Sequence, residues 1–83
     1  MPQEQTTLFN VKDLDSELVR VTLNEVYDAL EERGYNPTNQ IVGYLISGDP
    51  GYISSYKDAR SKIQELDRAK IVEILLVDFK ENN

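Results

Sequence analysis

The side chains that most often act as catalytic acids, bases and thiol nucleophiles are missing, since the chain contains no histidine and no cysteine. Ser54 and Lys57 have the Ser-x-x-Lys spacing of a serine nucleophile with a lysine base, but at a joint between helices we interpret them as cap residues. Asp13 and Asp15 could offer oxygen ligands, yet the spacing of an EF-hand loop is absent. No glycine-rich phosphate-binding motif occurs. The sequence therefore predicts a protein that is not an enzyme and uses no metal or cofactor.

Two neighbouring hydroxyls, on Thr6 and Thr7, are the best candidates for covalent modification. They lie in residues 1–14, where no helical period is visible, and a protein kinase needs its substrate residue in an accessible, extended segment. A phosphate would add a charge of about −1.5 to −2 and three acceptor oxygens. On an acidic protein it would repel neighbouring carboxylates or bind an arginine, such as Arg20 or Arg33. Taken alone, the pair is also typical of ordinary solvated threonines.

The charge balance restricts the partners. Fifteen acidic residues against nine basic ones give a net charge of −6, which disfavours nucleic acid and anionic membrane surfaces, because both are bound through lysine and arginine. No stretch has the length and apolar character of a membrane span, and the first ten residues do not resemble a signal peptide. We therefore expect a cytoplasmic protein with no nucleic acid partner and no membrane insertion.

The first predicted helix runs from about Ser16 to Arg33, with Asp15 or Ser16 as N-cap and Gly34 as the terminating residue. Its apolar residues recur at helical spacing and form one stripe. Leu18 and Val21 widen the stripe, and Tyr27 is placed in the core. The stripe consists of Val19, Leu23, Val26, Tyr27 and Leu30.

Residues 36–53 contain one acidic side chain and no basic one. Asn36-Pro37 starts a helix, Gly48 ends it, and Asp49-Pro50 starts a short helical turn through Ile53. Because a recognition helix needs lysine or arginine for phosphates and base edges, the absence of both argues against a helix–turn–helix DNA-binding unit. The segment is either core or a surface for a partner. Ile41, Tyr44 and Tyr52 are our candidates for a dimer or partner surface.

Residues 57–81 contain one helix or two, with Asp67 as a candidate cap for the second. IVEILLVDF, residues 71–79, fits a helix better than a strand, because Ile71, Leu75 and Phe79 recur at steps of four. We predict an all-α bundle of about five helices over residues 15–83, preceded by a flexible N-terminal tail, residues 1–14. A domain this small, without disulfides, has a marginal core, which favours oligomerisation.

Three blocks of the sequence closely resemble the IreB family, small regulatory phosphoproteins of Gram-positive bacteria. They are GYNPTNQIVGY at 34–44, SGDPGYI at 47–53 and the pair Ala59-Arg60, and the resemblance extends over residues 26–77. The family carries a threonine three residues ahead of a phenylalanine, and Thr6 holds that relation to Phe9. By position, Thr6 is the first phosphoacceptor candidate and Thr7 the second.

The resemblance implies a non-enzymatic, mostly helical homodimer. Its N-terminal threonine would be the substrate of a transmembrane Ser/Thr kinase with extracellular cell-wall-sensing repeats, opposed by a cognate phosphatase. The family is associated with negative control of intrinsic resistance to cell-wall antibiotics, through a downstream protein that the sequence does not name. The alternative function is a constitutive helical adaptor or structural module that is not controlled by phosphorylation.

This sequence departs from the family pattern in two places. Thr7 stands where relatives usually carry an apolar residue, so either hydroxyl is a candidate for modification. In the last helix, Asp67-Arg68-Ala69-Lys70 and Ile74-Leu75-Leu76 replace a more acidic pattern, which changes the packing expected at the C-terminus.

Overall fold

The computed structural model describes residues 11–83, and its described part consists of helices without strands. The predicted all-α class is confirmed, with four α-helices instead of about five, because the short helical segment expected from Asp49 to Ile53 is a single 3-10 turn. The α-helices are α1 (Val11–Glu32), α2 (Pro37–Ser47), α3 (Ala59–Gln64) and α4 (Arg68–Glu81), and the 3-10 turns are Pro50–Tyr52 and Tyr56–Asp58.

Helix α1 begins at Val11, five residues earlier than the sequence predicts. Asp15 and Ser16 therefore lie inside the helix, and neither is its N-cap. Their acidic and hydroxyl side chains are also well tolerated in the first turns of a helix, which is why they gave a false start signal. The predicted end is confirmed. Gly34 has φ 89°, and the N–H of Tyr35 donates to the Leu30 carbonyl at 3.0 Å, as in a Schellman motif.

Side-chain caps start α2, the first 3-10 turn and α4 where the sequence predicts them. Asn36 accepts a hydrogen bond from the Asn39 N–H at 3.1 Å at the start of α2, and Gly48 ends that helix with φ 77°. Asp49 accepts from the Gly51 N–H at 2.8 Å and starts the first 3-10 turn. Asp67 accepts from the Ala69 N–H at 3.0 Å and starts α4. Residues 57–81 therefore form two helices, and residues 71–79 are helical throughout.

The core lies between α1 and the three other helices, each of which packs against it. Since α1 is the longest element and touches all the others, it positions every surface described below. The buried apolar side chains are Val19, Val26, Ala29, Leu30, Ile41, Tyr44, Ile53, Ala59, Ile63, Leu66, Ile71 and Ile74.

The chain enters α3 through a corner at Lys57 and Asp58, whose φ angles are 51° and 62°. Left-handed backbone costs a residue with a side chain roughly 1–2 kcal/mol, so the corner needs support from its surroundings. The Lys57 ammonium contacts Glu32 at 2.7 Å, and the Tyr56 hydroxyl donates to the same carboxylate at 3.1 Å. Ala59, directly after the corner, lies fully buried in the core.

Candidate functional site

The predicted phosphoacceptors, Thr6 and Thr7, lie outside the described residues, as do residues 1–10 of the predicted tail. The first described element, α1, begins four residues after Thr7. The start of α1 is therefore the described part of the chain that lies nearest in sequence to a modification of either threonine.

The three candidates for a partner surface separate into core and surface. Ile41 and Tyr44 are only 7% and 6% exposed, because they face α1 from the inner side of α2, so they belong to the chain's own core. Tyr52 is 51% exposed. Its ring lies so close to Gly43 that a Cβ added there would be 2.5 Å from the ring. Of the three, only Tyr52 offers area to a partner.

Helix α4 carries apolar residues on two sides. Ile71 and Ile74 are buried against the core, whereas Val72, Leu75, Leu76, Val77 and Phe79 are exposed, Leu76 at 66%. Four of these five, Val72, Leu75, Leu76 and Phe79, follow each other at steps of three, one and three, which places them on one side of the helix. We call these four residues the α4 face. Leu75 and Phe79 recur with Ile71 at steps of four, yet only Ile71 of the three is buried.

The exposed apolar surface continues from α4 onto α2. Leu45 and Val72 line the same groove beside Arg68, and Val42 and Ile46, on the outer side of α2, are exposed as well. Sequence reasoning missed this surface. A usable signal was present, since residues 71–79 hold more apolar side chains than a helix of this kind can bury on one side.

A second exposed apolar row lies at the start of α1 and consists of Leu14, Leu18 and Val21, which we call the α1 stripe. Its members stand at steps of four and three, and Leu18 is 58% exposed. The predictions that Leu18 and Val21 widen the core side and that Tyr27 is buried are wrong. The core packs against the side of α1 that carries Val19, Val26 and Leu30, and no element among residues 11–83 covers the opposite side.

One bidentate ion pair joins α1 to α4. Arg20 donates from Nε and Nη2 to the two carboxylate oxygens of Asp78, at 2.9 and 2.7 Å. These hydrogen bonds hold the pKa of Asp78 below its usual range and raise the pKa of Arg20. Arg20, one of the two arginines considered for a phosphate, therefore already binds a carboxylate. Arg33, the other, lies over the Tyr56 ring at 5.4 Å.

The Ser-x-x-Lys pair does not have the geometry of a catalytic pair. The Lys57 ammonium is held by Glu32, and this hydrogen bond raises the pKa of Lys57, whereas a lysine base needs a lowered pKa. The Ser54 hydroxyl accepts a hydrogen bond from the Tyr56 N–H at 3.1 Å. Ser54 therefore stabilises the local turn and Lys57 pairs with Glu32 of α1. The interpretation of the two as cap residues is wrong, because the N-cap of the 3-10 turn is Ser55.

Within residues 11–83, no three acidic side chains lie close enough together to hold a metal ion. No helix in that part of the chain combines the length and apolar character needed to cross a bilayer. The described geometry consists of two exposed apolar surfaces, an ion pair between α1 and α4, and a second pair at the α3 corner. Such features serve contacts between macromolecules and the rigidity of the domain.

Comparison with known protein families gives one match that covers almost the whole chain. The family of the IreB regulatory phosphoprotein matches residues 4–81, which include both candidate threonines and every helix described above. The chain therefore belongs to the IreB regulatory phosphoprotein family.

Proposed function

We propose that this protein is a non-enzymatic regulator whose N-terminal threonine is phosphorylated by a transmembrane Ser/Thr kinase and dephosphorylated by a cognate phosphatase. Thr6 is the first acceptor and Thr7 the second. The protein acts in the cytoplasm as a negative regulator in cell-wall stress and antibiotic-resistance signalling, through contacts with other proteins. The observation that carries this proposal is the family match, which begins at residue 4 and so includes both threonines.

The exposed apolar side chains support a function based on protein contacts. Fully burying one large apolar side chain gains roughly 1.5–3 kcal/mol, and the α4 face presents four of them on one side of a helix. A standard interface buries about 800 Å² on each partner, and the described chain exposes 5612 Å² in total. We assign the α4 face to a second copy of the chain, with the outer side of α2 beside it.

Phosphate transfer can be tested with the catalytic domain of a cell-wall-sensing Ser/Thr kinase and mass mapping of the product. We expect phosphate on the peptide that contains Thr6 and Thr7, strongly reduced in Thr6→Ala. Thr38→Ala, an exposed threonine in the first turn of α2, is the matched control and leaves incorporation unchanged. An N-terminal peptide that stays unmodified would favour the constitutive adaptor.

Self-association can be tested by sedimentation at micromolar concentration. We expect a species of twice the chain mass of 9.5 kDa for the wild type and a shift toward the single chain for Leu76→Gln, which removes apolar area from the α4 face. Leu18→Gln is the matched control, because Leu18 is similarly exposed but belongs to the α1 stripe. A wild type that sediments only as a single chain contradicts the homodimer.

A further inference from the structure

The α1 stripe lies at the point where the described chain begins. Leu14, Leu18 and Val21 are exposed within the first three turns of α1, directly after a segment that contains the apolar pair Leu8-Phe9. An apolar row of this kind needs a cover or an interaction partner. The N-terminal segment is the nearest apolar part of the chain that the described structure does not include.

A groove beside the stripe has room for an aromatic ring. Leu18 and Leu66 line a groove of about 340 Å³ between α1 and the connection from α3 to α4, and an engineered apolar cavity of about 150 Å³ already binds benzene. The charged side chains that line the groove are mostly acidic, since three are carboxylates, Asp15, Glu65 and Asp67, and one is a cation, Lys70. The groove therefore suits an apolar guest and disfavours an anionic one.

We propose that the unphosphorylated N-terminal segment docks on the α1 stripe through Leu8 and Phe9, and that a phosphate on Thr6 or Thr7 releases it. The docking does not depend on the function proposed above. The release rests on the function proposed above, because it requires that one of the two threonines is modified.

The length of the segment matches the stripe. Counted from a helix that begins at Val11, the docked Phe9 would take the N′ position and Leu14 the N4 position, the two residues that pack together in a hydrophobic staple. The three residues from Val11 back to Leu8 span about 10 Å when extended. That distance equals the rise of about 10 Å from Val11 to Leu18 along the helix. A segment that folds back on α1 can therefore bring both apolar side chains onto the stripe.

Charge supplies the switch. A phosphate on Thr6 or Thr7 adds about −1.5 to −2 charge, two or one residues before the apolar pair. In the docked segment this charge would lie near the carboxylates of Asp15, Glu65 and Asp67. Like charges brought together repel each other, so phosphorylation weakens the docked state. The α1 stripe then becomes available to a partner only in the phosphorylated protein.

The segment has an advantage over a second copy as occupant of the stripe. Because it is covalently attached next to Leu14, its effective concentration at the stripe is in the millimolar range, independent of the protein concentration. A second copy would occupy the stripe only as the protein concentration rises. This difference separates the two occupants in an experiment.

The test uses a single tryptophan. The natural sequence contains none, so Phe9→Trp in the full chain reports only on the N-terminal segment. We expect blue-shifted emission that is unchanged on dilution and that moves to the emission of the urea-unfolded chain when Leu18→Gln is added. Leu76→Gln, on the α4 face, is the matched control and leaves the emission unchanged. Circular dichroism of each variant verifies that the helices persist.

The docking would be overturned if the emission of Phe9→Trp equalled that of the unfolded chain, or if it did not respond to Leu18→Gln. It would also be overturned if the blue shift were lost on dilution, because that result would assign the stripe to a second copy. Kinase treatment separates the remaining claim. A phosphorylated segment with unchanged emission overturns the release while the proposed function stands. A segment that accepts no phosphate but keeps its blue shift contradicts the proposed function and leaves the docking intact.

Discussion

Residues 36–53 and helix α4 are the two most apolar regions of the molecule, and they use their apolar side chains differently. The first region buries four apolar side chains, Pro37, Ile41, Tyr44 and Ile53, and exposes Val42, Ile46 and Tyr52. Helix α4 buries two, Ile71 and Ile74, and exposes the four residues of the α4 face. Apolar content is therefore a poor guide to burial in this chain. The elements packed around each region decide how much of it is covered.

Residues 36–53 are held at several points. The Arg68 guanidinium donates to the Leu45 carbonyl at 3.0 Å, and Arg60 Nε donates to the Ile53 carbonyl at 2.8 Å. The side-chain amide of Gln40 accepts from the Ser54 N–H at 3.1 Å. Beyond its first residue, Arg68, helix α4 is joined to α1 by the ion pair between Arg20 and Asp78. The more firmly anchored region is the one that supplies core.

The largest expected effect compares one residue from each region. Ile53→Ala removes a side chain with no exposed area and should lower the free energy of unfolding by about 2–5 kcal/mol. Leu76→Ala, at an exposed position, should change it by no more than about 0.5 kcal/mol. Urea unfolding measures both. Equal losses of stability in the two variants would contradict the difference between the two regions. A loss of stability in Leu76→Ala that grows with protein concentration would indicate the proposed contact between copies.

A smaller effect sharpens the account of residues 36–53. Gly43→Ala should destabilise the wild type by about 1–3 kcal/mol, because the added Cβ meets the Tyr52 ring at 2.5 Å. In a Tyr52→Ala background the same change should stabilise by up to about 1 kcal/mol, since alanine is the better helix former. A double-mutant cycle measured by urea unfolding would detect this change of sign in the stability effect of Gly43→Ala. The same sign in both backgrounds would show that the ring does not constrain this position.

The smallest effect concerns the tie between α1 and α4. Because Arg20 lowers the folded-state pKa of Asp78, the pair stabilises the fold above the unfolded pKa of about 3.9, and this contribution is lost as the pH falls through the folded pKa. The wild type should therefore exceed Asp78→Asn in stability near neutral pH, and the difference should shrink below about pH 4. Since both side chains are about one third exposed, added salt should reduce the difference too.

The control for this pH dependence is Arg20→Met. In that background, Asp78 lacks the guanidinium that lowers its pKa. The stability difference caused by Asp78→Asn should then no longer shrink as the pH falls. Urea midpoints from pH 3 to pH 7 would measure it. An unchanged difference in the Arg20→Met background would show that another group stabilises the Asp78 carboxylate.

The helix ends could be predicted from the sequence wherever a single side chain determines them. Asn36, Gly48, Asp49 and Asp67 each act through hydrogen bonds or backbone angles within three or four residues, so their effect does not depend on the rest of the fold. The start of α1 could not be located in this way, because Asp15 and Ser16 imitate a cap inside a longer helix.

The surfaces were predicted less well, because periodicity shows which residues share a side of a helix but not which side meets the body. Tyr44 was indistinguishable from Tyr52 by residue type, yet Tyr44 lies in the core and Tyr52 lies outside it. The same limit applies to α4, where Ile71 and Phe79 belong to one row of apolar residues at steps of four, yet Ile71 is buried and Phe79 is exposed. Burial depends on neighbours distant in the sequence, and one chain without its fold does not specify them.

The two left-handed residues at the entry to α3 restrict how the protein can vary in length. Helix α3 has six residues and anchors in the core through Ala59 and Ile63. Deleting or inserting one residue at Lys57 or Asp58 would rotate these side chains by about 100° relative to the corner and turn Ile63 out of the core. Glycine replacements there should relieve backbone strain instead. Homologous chains should therefore keep the same number of residues at this corner, with glycine as the favoured replacement.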